Sequence, residues 1–179
     1  MLAIIHNDHV NMSRLLKLLR KKINQLDQDE KIDYRLIKSV ITYLRYYSDK
    51  YHHPMEDLIY DYYLTYRASS DEAVTRLSQE HKLIKKVTIE LDELLDIILL
   101  DAIVPKEVCL EKLRNFVEIQ AAHLAYEENE ILPLIRTSLS SEDWVKIQQQ
   151  WQGDAHNDPL FGDKVSEQYR TLATHIKDV

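Results

Sequence analysis

From Leu2 to Leu26 apolar side chains recur in alternating steps of three and four residues, at Ile5, Met12, Leu16, Leu19 and Ile23, and His9 falls in the same series. That is the period of one helix face turned toward a core, so His9 is predicted to face inward. The polar run Asp27 to Asp33 breaks the pattern. A second helix is predicted from there to about Arg67, with Ile37, Ile41, Leu44, His52, Glu56, Ile59 and Tyr63 along one seam. Pro54 falls inside it. Lacking an N–H, it should kink the helix or leave the Lys50 carbonyl free, at a cost of about 3 kcal/mol in an ordinary helix interior. Ser69-Ser-Asp-Glu72 has capping-box spacing, which predicts that Ser69 starts a third helix with Val74, Leu77, His81, Ile84, Thr88, Leu91, Leu95 and Ile98 inward. Pro105 fits a first helical position and opens a fourth, with Leu113, Phe116, His123, Glu127 and Leu134 inward and Pro133 marking its approaching end.

Helices of about 30 residues rise about 45 Å, and short links make successive helices antiparallel neighbours. The expectation is an all-α fold, an up-down-up-down four-helix bundle over residues 1–138. Residues 139–179 form a C-terminal helical extension packed on it. In that extension Ser140-Ser-Glu-Asp143 can cap a short helix carrying Trp144, Ile147 and Trp151. A loop with Gly153, Pro159 and Gly162 follows, and then a last helix with Val165, Tyr169, Leu172 and Ile176. The extension reads as a lid on one end or side of the bundle, or as a self-association surface that would make a homodimer.

Composition narrows the classes. With 179 residues the chain has the size of one domain, and 2 Gly and 4 Pro leave little material for turns. The single cysteine, Cys109, excludes an intramolecular disulfide and reads as a buried small hydrophobe. No charged-then-apolar leader opens the chain and no apolar run approaches the roughly 18 residues that span a membrane, so the expected location is cytoplasmic, with no membrane partner. A net charge of -7 with no basic stripe argues against nucleic acid.

The candidate chemistry lies in a repeated His-x-x-x-Glu, at His52 and Glu56 and again at His123 and Glu127. Positions four apart share a helix face, so each of these helices offers one imidazole and one carboxylate. His9 and His81 stand upstream at intervals that differ by a single residue, as if one half of the chain repeated the other. Counted from the helix breaks, the four histidines fall in one layer to within about 3–6 Å. A lone histidine on an apolar face is ordinarily a hydrogen-bonded core residue. Four imidazoles and two carboxylates buried together cost several kcal/mol per unmet group, and a cation removes that penalty. Imidazole plus carboxylate without thiolate suits iron, manganese or zinc, and two carboxylates able to bridge favour a dinuclear site over one tetrahedral zinc. The expected ligands are His9, His52, Glu56, His81, His123 and Glu127, with Glu56 and Glu127 bridging.

At these residues the sequence resembles the hemerythrin-like family, the HHE cation-binding domain, from about Ile5 to Pro133. The motifs are Asp8-His9, His52 with Glu56, Glu80-His81, and His123 with Glu127. The resemblance implies a non-haem di-iron centre, two iron ions with an oxo or hydroxo bridge, ahead of manganese or zinc. It departs from the family's oxygen carriers, which place two histidines four apart on the third helix, since Leu77 and Lys85 flank His81 here. Four imidazoles, two bridging carboxylates and one bridging oxygen leave two positions open on a six-coordinate pair. That count suits water, nitric oxide, peroxide or substrate and predicts fast autoxidation instead of reversible oxygen carriage; the expected function is the binding or reduction of oxygen, nitric oxide or peroxide, in stress protection or iron handling. Whether the protein turns over as an enzyme, or is a metal- or oxygen-responsive sensor module without turnover, stays open at this point. His53, about 100° of helix from His52, is expected on the flank, beside a ligand or facing solvent. His6, Tyr51 and Tyr126 are the other residues near enough in sequence to approach the site.

Overall fold

The computed structural model describes residues 1–68, 71–152 and 158–177. Every regular element among them is helical: α1 (Leu2–Asp27), α2 (Tyr34–Tyr47), α3 (His53–Tyr66), α4 (Glu72–Leu99), α5 (Lys106–Tyr126), α6 (Leu132–Ser138), α7 (Ser141–Gln150) and α8 (Arg170–Ile176). Helices α2 and α3 are halves of one rod joined by a π turn at Ser48–His52, and α5 and α6 are joined by another at Glu127–Ile131. Four long helices therefore make the bundle, in which α1 packs on α5 and α2, and α4 on α2 and α5.

The prolines explain the π turns. Pro54 can give the Lys50 carbonyl no hydrogen bond, so the expected alternatives are a kink or an orphaned acceptor. The chain instead widens by one residue: the His53 N–H reaches back five residues to the Ser48 carbonyl, and Pro54 falls in the first turn of α3, where its missing donor matters least. Pro133 stands in the same relation to the second π turn, with the Leu132 N–H on the Glu127 carbonyl, and the helix continues past it to Ser138.

The two halves end their helices alike. Asp29 and Asp101 take φ of 59° and 62° after α1 and α4. The next N–H groups, of Glu30 and Ala102, return to the carbonyls of Gln25 and Ile97 at 2.9 and 3.2 Å. Aspartate tolerates this left-handed stop where the chain has no glycine to offer. Ser69, the expected start of the third helix, lies outside the described residues. The cap of α4 is Asp71, whose carboxylate accepts from the N–H of Ala73 at 2.9 Å and of Val74 at 3.3 Å, and from the Tyr63 hydroxyl at 2.9 Å. Asp71→Ala is expected to cost about 1–2 kcal/mol, read as a shifted urea midpoint at unchanged slope.

Two apolar clusters form the core. One gathers Leu16, Leu19, Ile37, Leu44, Leu91, Leu113 and Phe116; the other gathers Ile5, Ile59, Tyr63, Leu77, Ile131 and Ile135. On each long helix the motif residues fall between the stretches that feed the two clusters, so a polar layer divides the core.

The C-terminal extension packs on both clusters. Trp144, Ile147 and Trp151 pack on the second cluster, whereas Tyr169, Leu172 and Ile176 belong to the first, with α8 against α1 and α2. Helix α7 begins with the expected capping box at Ser140 and Asp143. Arg67 pairs with Asp143 and holds that carboxyl well below its usual range. The last helix starts later than its sequence pattern implies, since Val165 precedes both the 3-10 turn Glu167–Tyr169 and α8. Gly153 of the expected loop lies outside the described residues. Among the described residues no helix is long and apolar enough to cross a membrane.

Candidate metal centre

All six expected ligands meet in the polar layer. His9, His52, His81 and His123 are 2–7 % exposed, and Glu56 and Glu127 are fully buried. Glu56 Oε1 lies 3.3 Å from His9 Nε2 and 3.2 Å from His52 Nε2, and its Oε2 lies 3.5 Å from His81 Nε2. Glu127 Oε2 lies 3.3 Å from His9 Nε2 and 3.2 Å from His123 Nε2. The ligand atoms form two overlapping groups, each within 4.8 Å: His9, His52, Glu56 and Glu127, and His53, Glu56, His81 and His123. Glu56 belongs to both.

His53 is therefore not on the flank. It is 9 % exposed and stacks on the His81 ring, with centroids 4.1 Å apart and planes at 18°. In a regular helix His52 and His53 would diverge by about 100°. The π turn that closes at His52 sets the phase of the following helix, and both rings end in the layer. The third helix withholds a fifth imidazole, as Leu77 and Lys85 predict, but the second helix brings one.

Each of the other four imidazoles is held from behind. The Nδ1 of His52 faces Asp8 at 3.3 Å, that of His81 faces Asp57 at 3.1 Å, that of His123 faces Glu80 at 3.0 Å, and that of His9 faces Glu128 at 2.7 Å. These contacts form a closed cycle, in which every long helix supplies the carboxylate that orients the next helix's histidine. An Nδ1–H donated outward fixes the tautomer and leaves Nε2 as a lone-pair donor pointing inward, which is the usual support of a metal-bound imidazole. Asp57 and Glu128 were missed as partners. Their signal is an acid directly after each motif glutamate, matching the acids directly before His9 and His81. Removing one member, as in Glu80→Ala, is expected to lower metal affinity about 10–100-fold with the fold intact, measured by competition with a chelator.

Other neighbours fall differently. Among the described residues Tyr60, not Tyr51 or Tyr126, touches an expected ligand, its hydroxyl donating to Glu127 Oε1 at 3.0 Å. Tyr126 turns away to the Ala73 carbonyl, under Arg76. His6 is exposed and, among the described residues, pairs with Glu128 at 3.0 Å and not with the candidate ligands.

The groups settle their charges with protons. Burial opposes charge on His9, but Glu127 and Glu56 outweigh it and lift its pKa to about 11. His81, also against burial, is lifted by Asp57 and Glu127 to about 10. Burial and the neighbouring rings push His52 and His53 well below the ordinary histidine range. Burial and the Glu127 charge raise Glu56 to about 8, while His123 and the other imidazoles hold Glu127 ionised in spite of its burial. A cation must displace the protons on His9 and His81, so loading at neutral pH is expected to release acid, readable with an indicator dye in weak buffer.

Among the described residues, Glu56 Oε2, His81 Nε2, His123 Nε2 and Glu127 Oε2 are buried without a hydrogen-bond partner. Such orphans are expensive in a protein interior, and a cation between them would satisfy all four. Fold and site together define a helical bundle whose buried histidine and glutamate clusters can hold metal. The sequence profile of the hemerythrin HHE cation binding domain matches residues 1–135, and the chain belongs to that family. No curated protein and no solved structure matches it.

Proposed function

We propose that the layer holds a non-haem di-iron centre that binds or reduces a small ligand: oxygen, nitric oxide or peroxide. The observation that supports it most is the pair of overlapping four-ligand groups sharing Glu56. In this reading His9 and His52 would hold one iron and His53, His81 and His123 the other, with Glu56 and Glu127 as the carboxylates shared between them. Bound there, an iron pair supplies exchangeable coordination positions and one-electron redox steps. The protein's own share is to fix ring orientation through the carboxylate cycle and to keep both bridges dry.

Two cavities among the described residues touch the layer and would let small ligands approach it. A cavity of about 400 Å³ between α1 and α5 ends on His9 and Glu128 and carries Arg14, Lys17 and Arg20 on its walls. A smaller one, about 230 Å³, opens over His53 and His81. The test is anaerobic loading with ferrous ion, metal counting and an absorption spectrum, followed by exposure to each gas and to peroxide. Two irons per chain with consumption of several equivalents supports an enzyme; failure to load iron sinks the reading.

A second reading, a metal- or oxygen-responsive sensor without turnover, draws on one set of contacts. His52 pairs with Asp8, Asp8 accepts from Tyr47, Tyr47 stacks on Tyr43, and the Tyr43 hydroxyl donates to Asp158 at 2.9 Å in the C-terminal extension. Metal-dependent protection of that extension against hydrogen exchange, with no consumption of ligand, would favour it.

A further inference from the structure

Apart from Tyr60, which donates to Glu127, the tyrosines of the second long helix do not touch the expected ligands, yet Tyr47 reaches into their support. Tyr47, 1 % exposed, donates its hydroxyl to Asp8 Oδ1 at 3.1 Å, while Asp8 Oδ2 faces His52 Nδ1. A phenol thus stands one carboxylate and one imidazole away from the metal layer. Aromatic rings continue outward from it. The Tyr51 centroid is 5.7 Å from that of Tyr47, and the Tyr46 centroid is 6.2 Å from that of Tyr51. These are contact distances for aromatic pairs. Tyr46 is 42 % exposed. Lys50 closes the outer end, its Nζ donating to the Tyr46 hydroxyl at 3.1 Å and lying 5.3 and 5.1 Å from the Tyr46 and Tyr51 ring centres. That hydrogen bond holds the Tyr46 phenol below its usual range, which eases proton loss at the surface.

A second arm runs from Tyr47 to Tyr43 and Tyr169 but stays buried. Packing and the Tyr43 hydrogen bond to Asp158 account for that arm. They do not account for a line of phenols with one end hydrogen-bonded to a ligand's carboxylate and the other at the surface beside an ammonium group.

We propose that Tyr47, Tyr51 and Tyr46 form a one-electron path from the centre to the surface, which drains oxidising equivalents that peroxide leaves on the iron pair. The path rests on the iron reading above. Tyr47 gives one electron to the oxidised centre, and its phenolic proton passes along the existing hydrogen bond to Asp8, leaving a neutral phenoxyl. One electron from Tyr51 and the proton held by Asp8 restore Tyr47, while the Tyr51 proton leaves to water. Tyr46 refills Tyr51 in the same way, a proton returning from water to Tyr51 and one leaving Tyr46. A one-electron reductant of the thiol or ascorbate class, with a proton from water, restores Tyr46. In net terms one electron moves inward and every phenol ends protonated.

The test uses the full chain, loaded with ferrous ion, its iron counted and its spectrum recorded before hydrogen peroxide is added. Freeze-quench EPR reads the phenoxyl, and mass spectrometry of peptides reads tyrosine cross-links between molecules. The expected result is a phenoxyl signal and cross-links through Tyr46, both suppressed by ascorbate. Tyr51→Phe should keep iron and spectrum, because the contacts of Tyr51 are Tyr46, Tyr47 and Lys50, and should lose the Tyr46 cross-link. Tyr66→Phe, at an exposed tyrosine off the path, should leave the cross-link yield unchanged. Iron-loaded protein that forms no phenoxyl, or Tyr46 cross-links at equal yield in Tyr51→Phe, would overturn the path alone. A protein that takes up no iron overturns the iron reading and the path with it.

Discussion

Glu56→Ala is expected to empty both metal positions together. Glu56 is the one residue common to the two ligand groups, fully buried, with Oε1 against His9 and His52 and Oε2 toward His81. Loss of an outer partner typically costs about 10–100-fold in metal affinity; loss of a bridge should exceed that, because each ion loses a ligand and the shared charge that offsets repulsion between two cations. Titration with ferrous ion should show both equivalents weakened in one step. Asp57 cannot take over, since its carboxylate is about half exposed and faces the outer nitrogen of His81 at 3.1 Å. Tight retention of two irons would show that Glu127 alone bridges, or that the ions are bound independently.

His53→Ala is expected to retain the iron pair and to change how many exogenous ligands it accepts. On the di-iron reading with His53 as a fifth imidazole, two bridging carboxylates and one bridging oxygen would leave a single exchangeable position on a six-coordinate pair, so azide should bind with a stoichiometry of one. Without His53 a second position opens beside His81, under the 230 Å³ cavity, and the stoichiometry should rise to two. Optical titration with azide checks this. Equal stoichiometry in both proteins would place His53 beside the centre and not on it. The expectation from sequence of two open positions, and of a protein unable to carry oxygen reversibly, depended on the missing histidine of the third helix. His53 stands in the layer where it could fill one of those two positions, and the azide stoichiometry decides between the two counts.

Much of the bundle was legible because periodicity reports directly on a helix's own inward face. The six expected ligands lie on seams fixed by three- and four-residue steps, and all six meet. The π turns leave a trace in the sequence as well. Leu44, Ser48, His52 and Glu56 follow one another in unbroken four-residue steps, as do His123, Glu127, Ile131 and Ile135, and all are buried. A 3.6-residue helix cannot hold such a run on one face without an added residue, and the proline beyond each run is the reason to add it.

The sequence by itself determined the four long helices, the layer of histidines and glutamates, and the doubling of one half by the other, since all of these are properties of a helix face or of intervals along one chain. Tertiary structure decided what crosses between helices. That Asp8 supports His52 and not its neighbour His9, that Glu128 supports His9, and that Tyr60 reaches Glu127 from 67 residues away are set by how rods pack side by side, and no spacing within a helix encodes it. The inward turn of His53 lies between these cases: its cause, Pro54, is local, but only the packed bundle shows toward which neighbour the widened turn aims the ring.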